Sequence, residues 1–384
     1  MIYFDNAATT YPKPRSVVNA VANATAFSAN PGRSGYAHSL NASRVIFECR
    51  QKAADFFKLK NVENCILTPS CTLSLNTVIY GTLKEGDHVV ISSFEHNSVL
   101  RPVEKLCKDR KITYSVAQVN PYDDDETIDS FRKSINNKTK LIVCTHASNV
   151  FGFKLPVKRI AALAKYYGIL FCLDAAQSAG SEDIDINDIG ADFICVPGHK
   201  GLYGPMGTGL LLINTDKIPE SLFQGGTGSS FKDELGEPRL LPDKFESGTI
   251  NYPGFAGLLK GIEFVNSKTT KRIREHAVSI MQYIYDNLSS NKRVELYTKG
   301  INALRFVPLL SFNIKDTDPE KVCETLDKRF GICVRSGFHC SPLAHKCMQT
   351  GDRGTVRICP SAFSNFKDAK ALCDAVFLIS ITKK

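Results

Sequence analysis

The segment 193-FICVPGHKGLYGPMGTG-209 sets an apolar run directly before a lysine, Lys200. A charged amine at the mouth of a buried strand is costly unless it returns to water or takes part in chemistry. Asp174 and His96 also stand just after apolar runs. If these runs are strands of one sheet, an amine, a carboxylate and an imidazole meet at one rim. That set is suited to a ring cofactor with a basic nitrogen.

Pyridoxal phosphate (PLP) needs groups of these kinds. The amine of Lys200 can form a Schiff base with the PLP aldehyde, and Asp174 can keep the pyridine nitrogen protonated so that the ring accepts electrons. The hydroxyl-rich segment 68-TPSCTLSLNTVIYG-81 leads into a helical pattern, and a helix N-terminus is suited to a phosphate. Each residue also has an ordinary interpretation, such as a solvated lysine or a helix-capping aspartate.

Alternating β and α patterns must position these side chains. The helical pattern of 156-PVKRIAALAKYYG-168, with Pro at its start and Gly at its end, separates two apolar runs. Such alternation predicts a mostly parallel sheet covered by helices, with ligands beyond the carboxyl ends of its strands. Asn149 and Gln177 also follow predicted strands. The predicted strands are 88–93, 112–119, 140–146, 169–174 and 193–197.

After about residue 260 the pattern changes to that of a smaller α+β unit. At roughly 100–200 residues a domain, a chain of 384 residues favours two domains. We predict a large cofactor-binding domain at residues 15–260 and a small domain formed by residues 1–14 and 261–384. In the small domain we expect more than one helix in 254–290, strands at 309–314, 332–335 and 355–358, and helices at 319–330 and near 367–382.

Composition narrows the class of protein. The net charge of +9 comes from scattered residues, 48 basic and 39 acidic, so no nucleic-acid surface is expected. No apolar run approaches the roughly 20 residues of a membrane helix, and the first residues lack the pattern of a signal peptide. Thirteen cysteines, an odd number spread through predicted strands and helices, indicate a reducing compartment. We therefore expect a cytoplasmic protein without a membrane partner.

The chain resembles the class V, fold-type I PLP-dependent aminotransferase superfamily, and within it the cysteine desulfurase and selenocysteine lyase family, over nearly its whole length. The resemblance implies an α/β fold with a mostly parallel central sheet and a smaller C-terminal α+β domain. It also implies PLP as cofactor, L-cysteine or L-selenocysteine as substrate, and a homodimer with shared active sites. The segments that carry it most specifically are 173-LDAAQ-177, 198-GHKGLYGPMGTG-209, 246-ESGTIN-251 and 335-RSGFHCSP-342.

The resemblance also implies roles for twelve residues. Lys200 would form the Schiff base, and His96 would stack on the ring and act in catalysis. Asp174 and Gln177 would contact the pyridine nitrogen and the ring hydroxyl. Cys340 would accept the sulfur. Cys71, Thr72 and His199 would contact the phosphate, and Gly248 and Thr249 would contact the phosphate of the neighbouring subunit. Asn149 and Arg357 would bind the substrate carboxylate, and Asn149 would also lie beside the cofactor.

The implied reaction converts L-cysteine to L-alanine and leaves a persulfide on Cys340, with Lys200 moving the Cα proton. An unperturbed thiol has a pKa of roughly 8.5, and the nearby Arg335, His339 and His345 could lower that of Cys340. Cys347 could relay sulfur to an acceptor protein, for example in iron–sulfur cluster assembly.

Some alternatives stay open at this stage. One is selenocysteine lyase, or another class V C–S lyase or aminotransferase; a non-enzymatic alternative is a sulfur-assembly scaffold. Pro197 stands where the related desulfurases usually have a serine that binds phosphate, so one hydroxyl is missing. The two histidines and two cysteines between 339 and 347 lack a usual zinc spacing, and we expect no metal.

Overall fold

A computed structural model describes residues 1–27, 29–32, 34–227 and 238–381. Its strands fall into a central sheet, a smaller C-terminal sheet and one short two-stranded pair. The strands are β1 (Ile2–Tyr3), β2 (Cys65–Thr68), β3 (His88–Ser92), β4 (Thr113–Ala117), β5 (Thr139–Thr145), β6 (Leu170–Asp174), β7 (Phe193–Pro197), β8 (Gly209–Ile213), β9 (Val294–Leu296), β10 (Leu310–Ile314), β11 (Ile332–Cys333), β12 (Arg335–Gly337) and β13 (Thr355–Ile358).

Helices lie between most of these strands, as the alternating pattern predicts. Among the described residues, none of the helices has both the length and the apolar character that a bilayer crossing requires. The helices are α1 (Arg15–Ala26), α2 (Ala37–Phe56), α3 (Cys71–Thr82), α4 (Asn97–Arg110), α5 (Asp124–Ser134), α6 (Val157–Tyr166), α7 (Ile186–Ile189), α8 (Tyr252–Lys268), α9 (Thr270–Ser289), α10 (Pro319–Phe330), α11 (Pro342–Cys347) and α12 (Phe366–Ile381).

The central sheet has seven strands in the order β2-β8-β7-β6-β5-β3-β4. Strands β3 to β7 pair in parallel, while β8 is antiparallel to both of its neighbours. Strands β3 and β7 are buried along their whole length, which explains their continuous apolar sequence. The structure confirms the predicted α/β fold class with its mostly parallel sheet. The antiparallel β8, inserted between β2 and β7, was not foreseen.

Parallel pairing brings the carboxyl ends of β3, β5, β6 and β7 to one edge of the sheet. Two helices begin at this edge. Ser70 caps α3 by accepting a hydrogen bond from the Leu73 amide at 3.2 Å, and His96 caps α4 by accepting one from the Ser98 amide at 3.0 Å. The edge therefore presents two helix N-termini as well as the residues that follow each strand.

The C-terminal part is built as the α+β pattern predicts. The predicted helical stretch 254–290 is two helices, α8 and α9, which separate at Thr269, where φ is +66°. Strands β12, β13, β10 and β9 form an antiparallel sheet. The run 332–335, expected as one strand, divides into β11 and the start of β12.

The first residues of the chain lie beside its C-terminal strands. Strand β1 pairs in parallel with β11, and Asp5 forms an isolated bridge with Cys359. The assignment of residues 1–14 to the small domain stays a prediction. The boundaries at residues 15 and 260 remain predictions.

Candidate active site

A cavity of about 250 Å³ opens at the carboxyl edge of the central sheet. Nine of the twelve residues that the sequence singled out line it, although they come from six separate parts of the chain. These nine are Cys71, Thr72, His96, Asn149, Asp174, Gln177, His199, Lys200 and Arg357.

Lys200 follows β7 in a tight glycine turn. A side chain at Gly201 would place a Cβ 2.0 Å from the Ala179 carbonyl oxygen, so only glycine allows the turn to lie against its neighbour. Burial lowers the pKa of Lys200, while the charge of Asp174 acts in the opposite direction. A buried amine with a lowered pKa is a better nucleophile toward a carbonyl group than an exposed lysine.

Asp174 ends β6 and is 3% exposed. Its Oδ1 accepts hydrogen bonds from the Ala176 amide at 2.9 Å and from the Cys71 thiol at 3.6 Å. Burial raises the pKa of Asp174, and it raises the pKa of Cys71 well above its usual range, so the thiol stays protonated and donates. A buried carboxylate without a cation as hydrogen-bond partner is suited to a protonated ring nitrogen.

His96 belongs to a chain of three side chains. Its Nδ1 lies 2.8 Å from the Ser98 hydroxyl, which lies 2.8 Å from the Thr72 hydroxyl. Because Nδ1 accepts the Ser98 amide hydrogen, the proton of a neutral ring must be on Nε2. Burial first, and then the charge of Lys200, lower the pKa of His96 to about 4, so the ring is neutral at pH 7. Ser98 was missed in the sequence, although it stands two residues after the capping histidine.

The residues predicted to hold a phosphate lie around the N-terminus of α3. Ser70, Cys71 and Thr72, at the start of this 12-residue helix, line the cavity. His199 lines the same cavity, and its Nδ1 is buried without a hydrogen-bond partner. An unsatisfied buried nitrogen is costly, and a phosphate oxygen would satisfy it if Nδ1 carries the proton. Pro197 also lines the cavity, and its side chain has no hydroxyl group that could bind a phosphate.

Gln177 lines the cavity next to the Asp174 loop, and its Nε2 donates to the carbonyl oxygen of Ala7 at 3.1 Å. This bond connects the loop to the N-terminal segment. The contact of Gln177 with a ring hydroxyl stays a prediction. Taken together, the residues present fit PLP: a half-buried amine with a lowered pKa, a buried carboxylate, a neutral imidazole and a helix N-terminus face one cavity.

Arg357, on β13, is 1% exposed although it carries a charge. Its Nη1 donates to the carbonyl oxygen of Asn149 at 2.8 Å, and its Nη2 donates to Asp5 Oδ1 at 2.9 Å. Its Nε is buried and has no partner. Because Arg357 lines the cavity with donors still unused, it can bind the carboxylate of an amino acid. Asp5, which holds this guanidinium, was missed because the two residues are 352 positions apart.

Cys340 lies outside the cavity lining and is the exposed member of the thirteen cysteines. Its Sγ is 3.9 Å from Nη2 of Arg335, and Arg335 does line the cavity. This contact connects the thiol with the cavity. Burial lowers the pKa of His339 to about 2 and that of His345 to about 4, so neither ring supplies a positive charge to Cys340 at neutral pH. Of Arg335, His339 and His345, only Arg335 therefore places a positive charge next to the Cys340 thiol.

Gly248 and Thr249 also lie outside the cavity lining. The loop that carries them is anchored at Glu246, which pairs with Arg50 through two contacts of 2.6 and 2.8 Å and accepts the Leu67 amide hydrogen at 2.7 Å. The contact of Gly248 and Thr249 with the phosphate of a neighbouring subunit remains a prediction.

The cysteines and histidines of the Cys340 loop do not form a metal cluster. The rings of His339 and His345 stack with centroids 6.0 Å apart, and the Cys347 thiol donates to the Val119 carbonyl oxygen at 3.5 Å. Within the described part of the chain, no group of three or more His, Cys, Asp or Glu side chains is arranged to hold a metal ion.

Comparison with known proteins connects this geometry to a family. A model of the aminotransferase class-V family matches residues 2–372. A probable cysteine desulfurase of Methanothermobacter thermautotrophicus is 36% identical over 366 residues, which are 93% of this chain and 89% of that protein. A probable cysteine desulfurase of Halalkalibacterium halodurans is 33% identical over 352 residues, 89% of this chain and 84% of that protein. The apo structure of a cysteine desulfurase from Thermococcus onnurineus NA1 matches with a TM-score of 0.91 and 29% identity, covering 99% of this chain and 94% of that one.

Proposed function

Since the chain belongs to the aminotransferase class-V family, we propose that it is a PLP-dependent cysteine desulfurase. The reaction takes L-cysteine and the Cys340 thiol to L-alanine and a Cys340 persulfide. The carbon–sulfur bond of the substrate breaks, a sulfur–sulfur bond forms on Cys340, and the protons of the two thiols balance the alanine methyl group and the persulfide. The observation that carries the proposal is that a half-buried Lys200, whose pKa burial lowers, and a buried Asp174 line one cavity.

The cofactor, when bound, would supply an electron sink for negative charge at the substrate Cα. Asp174 would hold the ring-nitrogen proton, and the α3 N-terminus, Thr72 and His199 would hold the phosphate. Arg357 would orient the substrate carboxylate with its unused donors. Two of these groups, Nδ1 of His199 and Nε of Arg357, are buried and have no hydrogen-bond partner in the structure.

Two side chains would move protons. Burial lowers the pKa of Lys200, which favours the neutral amine that can take a proton from Cα. His96 presents a neutral ring with its Nε2 proton available, because Nδ1 is held by Ser98. Cys340 would attack the substrate sulfur from the mouth of the cavity, next to Arg335.

We further propose a homodimer that shares its active sites through the loop at Gly248 and Thr249, and a reducing compartment such as the cytoplasm. All thirteen cysteines are free thiols in the structure, which supports a reducing compartment. A sulfur-acceptor protein would receive the persulfide, since Cys340 is exposed.

The proposal is tested by product analysis. Purified protein is incubated with L-cysteine and a thiol reductant, and alanine, sulfide and pyruvate are quantified; a parallel reaction contains L-selenocysteine. We expect equal amounts of alanine and sulfide, no pyruvate, and loss of both products in Cys340→Ala. Cys107→Ala, which removes a half-buried thiol on α4, is the matched control and should keep wild-type turnover.

Other products would contradict the proposal. Pyruvate in place of alanine would indicate β-elimination by a C–S lyase. Turnover of L-selenocysteine alone, unaffected by Cys340→Ala, would indicate a selenocysteine lyase. The absence of both products and of bound PLP would favour a sulfur-assembly scaffold.

A further inference from the structure

The turn that carries Cys340 has an unfavourable backbone. His339 and Cys340 have φ values of +47° and +58°, so two successive residues with side chains adopt the left-handed conformation. This conformation costs free energy for residues other than glycine, and it persists only where surrounding contacts hold it. The neighbouring contacts must therefore hold the sulfur in place.

Asn149 bonds to the residues on both sides of Cys340. Its Nδ2 donates to the His339 carbonyl oxygen at 2.7 Å, and its Oδ1 accepts a hydrogen bond from the Ser341 hydroxyl at 2.6 Å. The carbonyl oxygen of Cys340 accepts a hydrogen bond from the Asn97 amide at 2.7 Å. Asn149, His339 and Ser341 are all buried, with Ser341 fully inaccessible to solvent. Three successive residues of the turn are thus each anchored to the edge of the central sheet.

We propose that Asn149 and Ser341 act together as positioning residues for Cys340. We call these two side chains, together with the His339 carbonyl group that Asn149 binds, the Asn149 clamp. The clamp holds the left-handed turn in the conformation that aims the Cys340 thiol toward the substrate. This role rests on the proposed desulfurase function and adds to it, because it assigns to Asn149 a partner other than cofactor and substrate.

The clamp connects the nucleophile to the substrate-binding group through one residue. The carbonyl oxygen of Asn149 accepts a hydrogen bond from Arg357 Nη1 at 2.8 Å, while its side chain holds the Cys340 turn. A movement of the Arg357 guanidinium or of the turn that carries Cys340 would therefore displace Asn149. One Nδ2 hydrogen remains for a cofactor or substrate, so the clamp is compatible with the predicted contacts of Asn149 in the cavity.

Within the clamp, Ser341 acts on the sulfur-transfer step and not on substrate binding. Ser341 does not line the cavity, so its hydroxyl can be removed without touching the cofactor or the substrate. Loss of the Ser341 hydroxyl should lower kcat and leave KM for L-cysteine unchanged. A purely structural role would instead lower the amount of folded protein without this division between kcat and KM.

The test is Ser341→Ala in the PLP-loaded protein. We expect kcat for alanine formation to fall about tenfold, as loss of one buried hydrogen bond implies, with KM for L-cysteine within twofold of wild type. Amide hydrogen exchange should rise in peptides that cover residues 335–347 and not elsewhere. The matched control is Ser380→Ala, which removes a buried hydroxyl on α12, remote from the cavity, and should change neither readout.

A second variant keeps the test valid if Ser341→Ala does not fold. Asn149→Asp keeps the acceptor for Ser341 but sets a carboxylate oxygen against the His339 carbonyl oxygen, so exchange in 335–347 should rise as well. Where Ser341→Ala does fold, the double variant should lose less activity than the product of the two single losses, because both changes loosen the same turn.

Wild-type kcat in Ser341→Ala would overturn the proposal, and so would unchanged exchange in residues 335–347. A wild-type protein without desulfurase activity would instead refute the proposed function. In that case the exchange measurement alone decides whether Asn149 and Ser341 hold the turn.

Discussion

Replacing Arg357 with lysine keeps the positive charge but removes the planar set of five donors. The guanidinium already uses two donors, one for the Asn149 carbonyl oxygen and one for Asp5, and its Nε is buried without a hydrogen-bond partner. A lysine ammonium in this position can keep one bond to a substrate carboxylate and loses the second. A hydrogen bond to a charged group contributes about 1.5–3 kcal/mol, which corresponds to a loss of roughly 10- to 150-fold in kcat/KM for L-cysteine.

The assay compares kcat/KM for L-cysteine and for cysteamine, the same substrate without its carboxylate, in wild type and Arg357→Lys. We expect the full loss with L-cysteine and equal, poor turnover of cysteamine by both proteins. Arg305→Lys is the control, because Arg305 makes a half-exposed ion pair with Asp124 outside the cavity. A value for L-cysteine within threefold of wild type would refute the assignment of Arg357 to the carboxylate. Equal losses with both substrates would assign the effect to disturbed folding instead.

Three further predictions concern Lys200, Glu246 and Glu95. Lys200→Ala should abolish turnover and the visible absorbance of the purified protein, as a spectrum before and after added PLP will test; unchanged absorbance would contradict the role of this amine. Glu246→Ala should lower the free energy of unfolding by about 3–5 kcal/mol, because it leaves Arg50 buried and unpaired, and urea denaturation will measure it. Burial raises the pKa of Glu95 to about 8, above its unfolded value of about 4.5, so this carboxyl group contributes stability below pH 4.5 that is lost as the pH rises through 8. The free energy of unfolding of Glu95→Gln, relative to that of wild type, should therefore rise by about 2 kcal/mol from pH 5.5 to pH 7.5. A difference that is the same at both pH values would contradict this prediction.

The residues found from the sequence are those that stand close to a strong local pattern. Lys200, Asp174 and His96 each follow an apolar run within a few positions, so a prediction of strands was enough to bring them to one edge. The presence of more than one helix in 254–290 and the helix at 319–330 were also predicted from local signals.

The features that were missed depend on contacts between distant parts of the chain. Asp5 and Ser341 act on partners 352 and 192 positions away, and no local pattern specifies such a pairing. The antiparallel β8 was missed because pairing partners in a sheet are set by tertiary packing, whereas strand content is set locally. Ser98 is different, since a capping histidine accepts the amide of the second residue that follows it, and that rule could have found it.

The ion pair between Asp5 and Arg357 has a consequence for synthesis on the ribosome. Domains generally fold as the chain emerges, N-terminal part first, but Arg357 is made 352 residues after Asp5. A nascent chain can complete its central sheet well before β13 is available to accept Asp5. The cavity therefore gains its Arg357 wall only once β13 has been synthesised, and a nascent chain that stops before β13 leaves Asp5 without this ion pair.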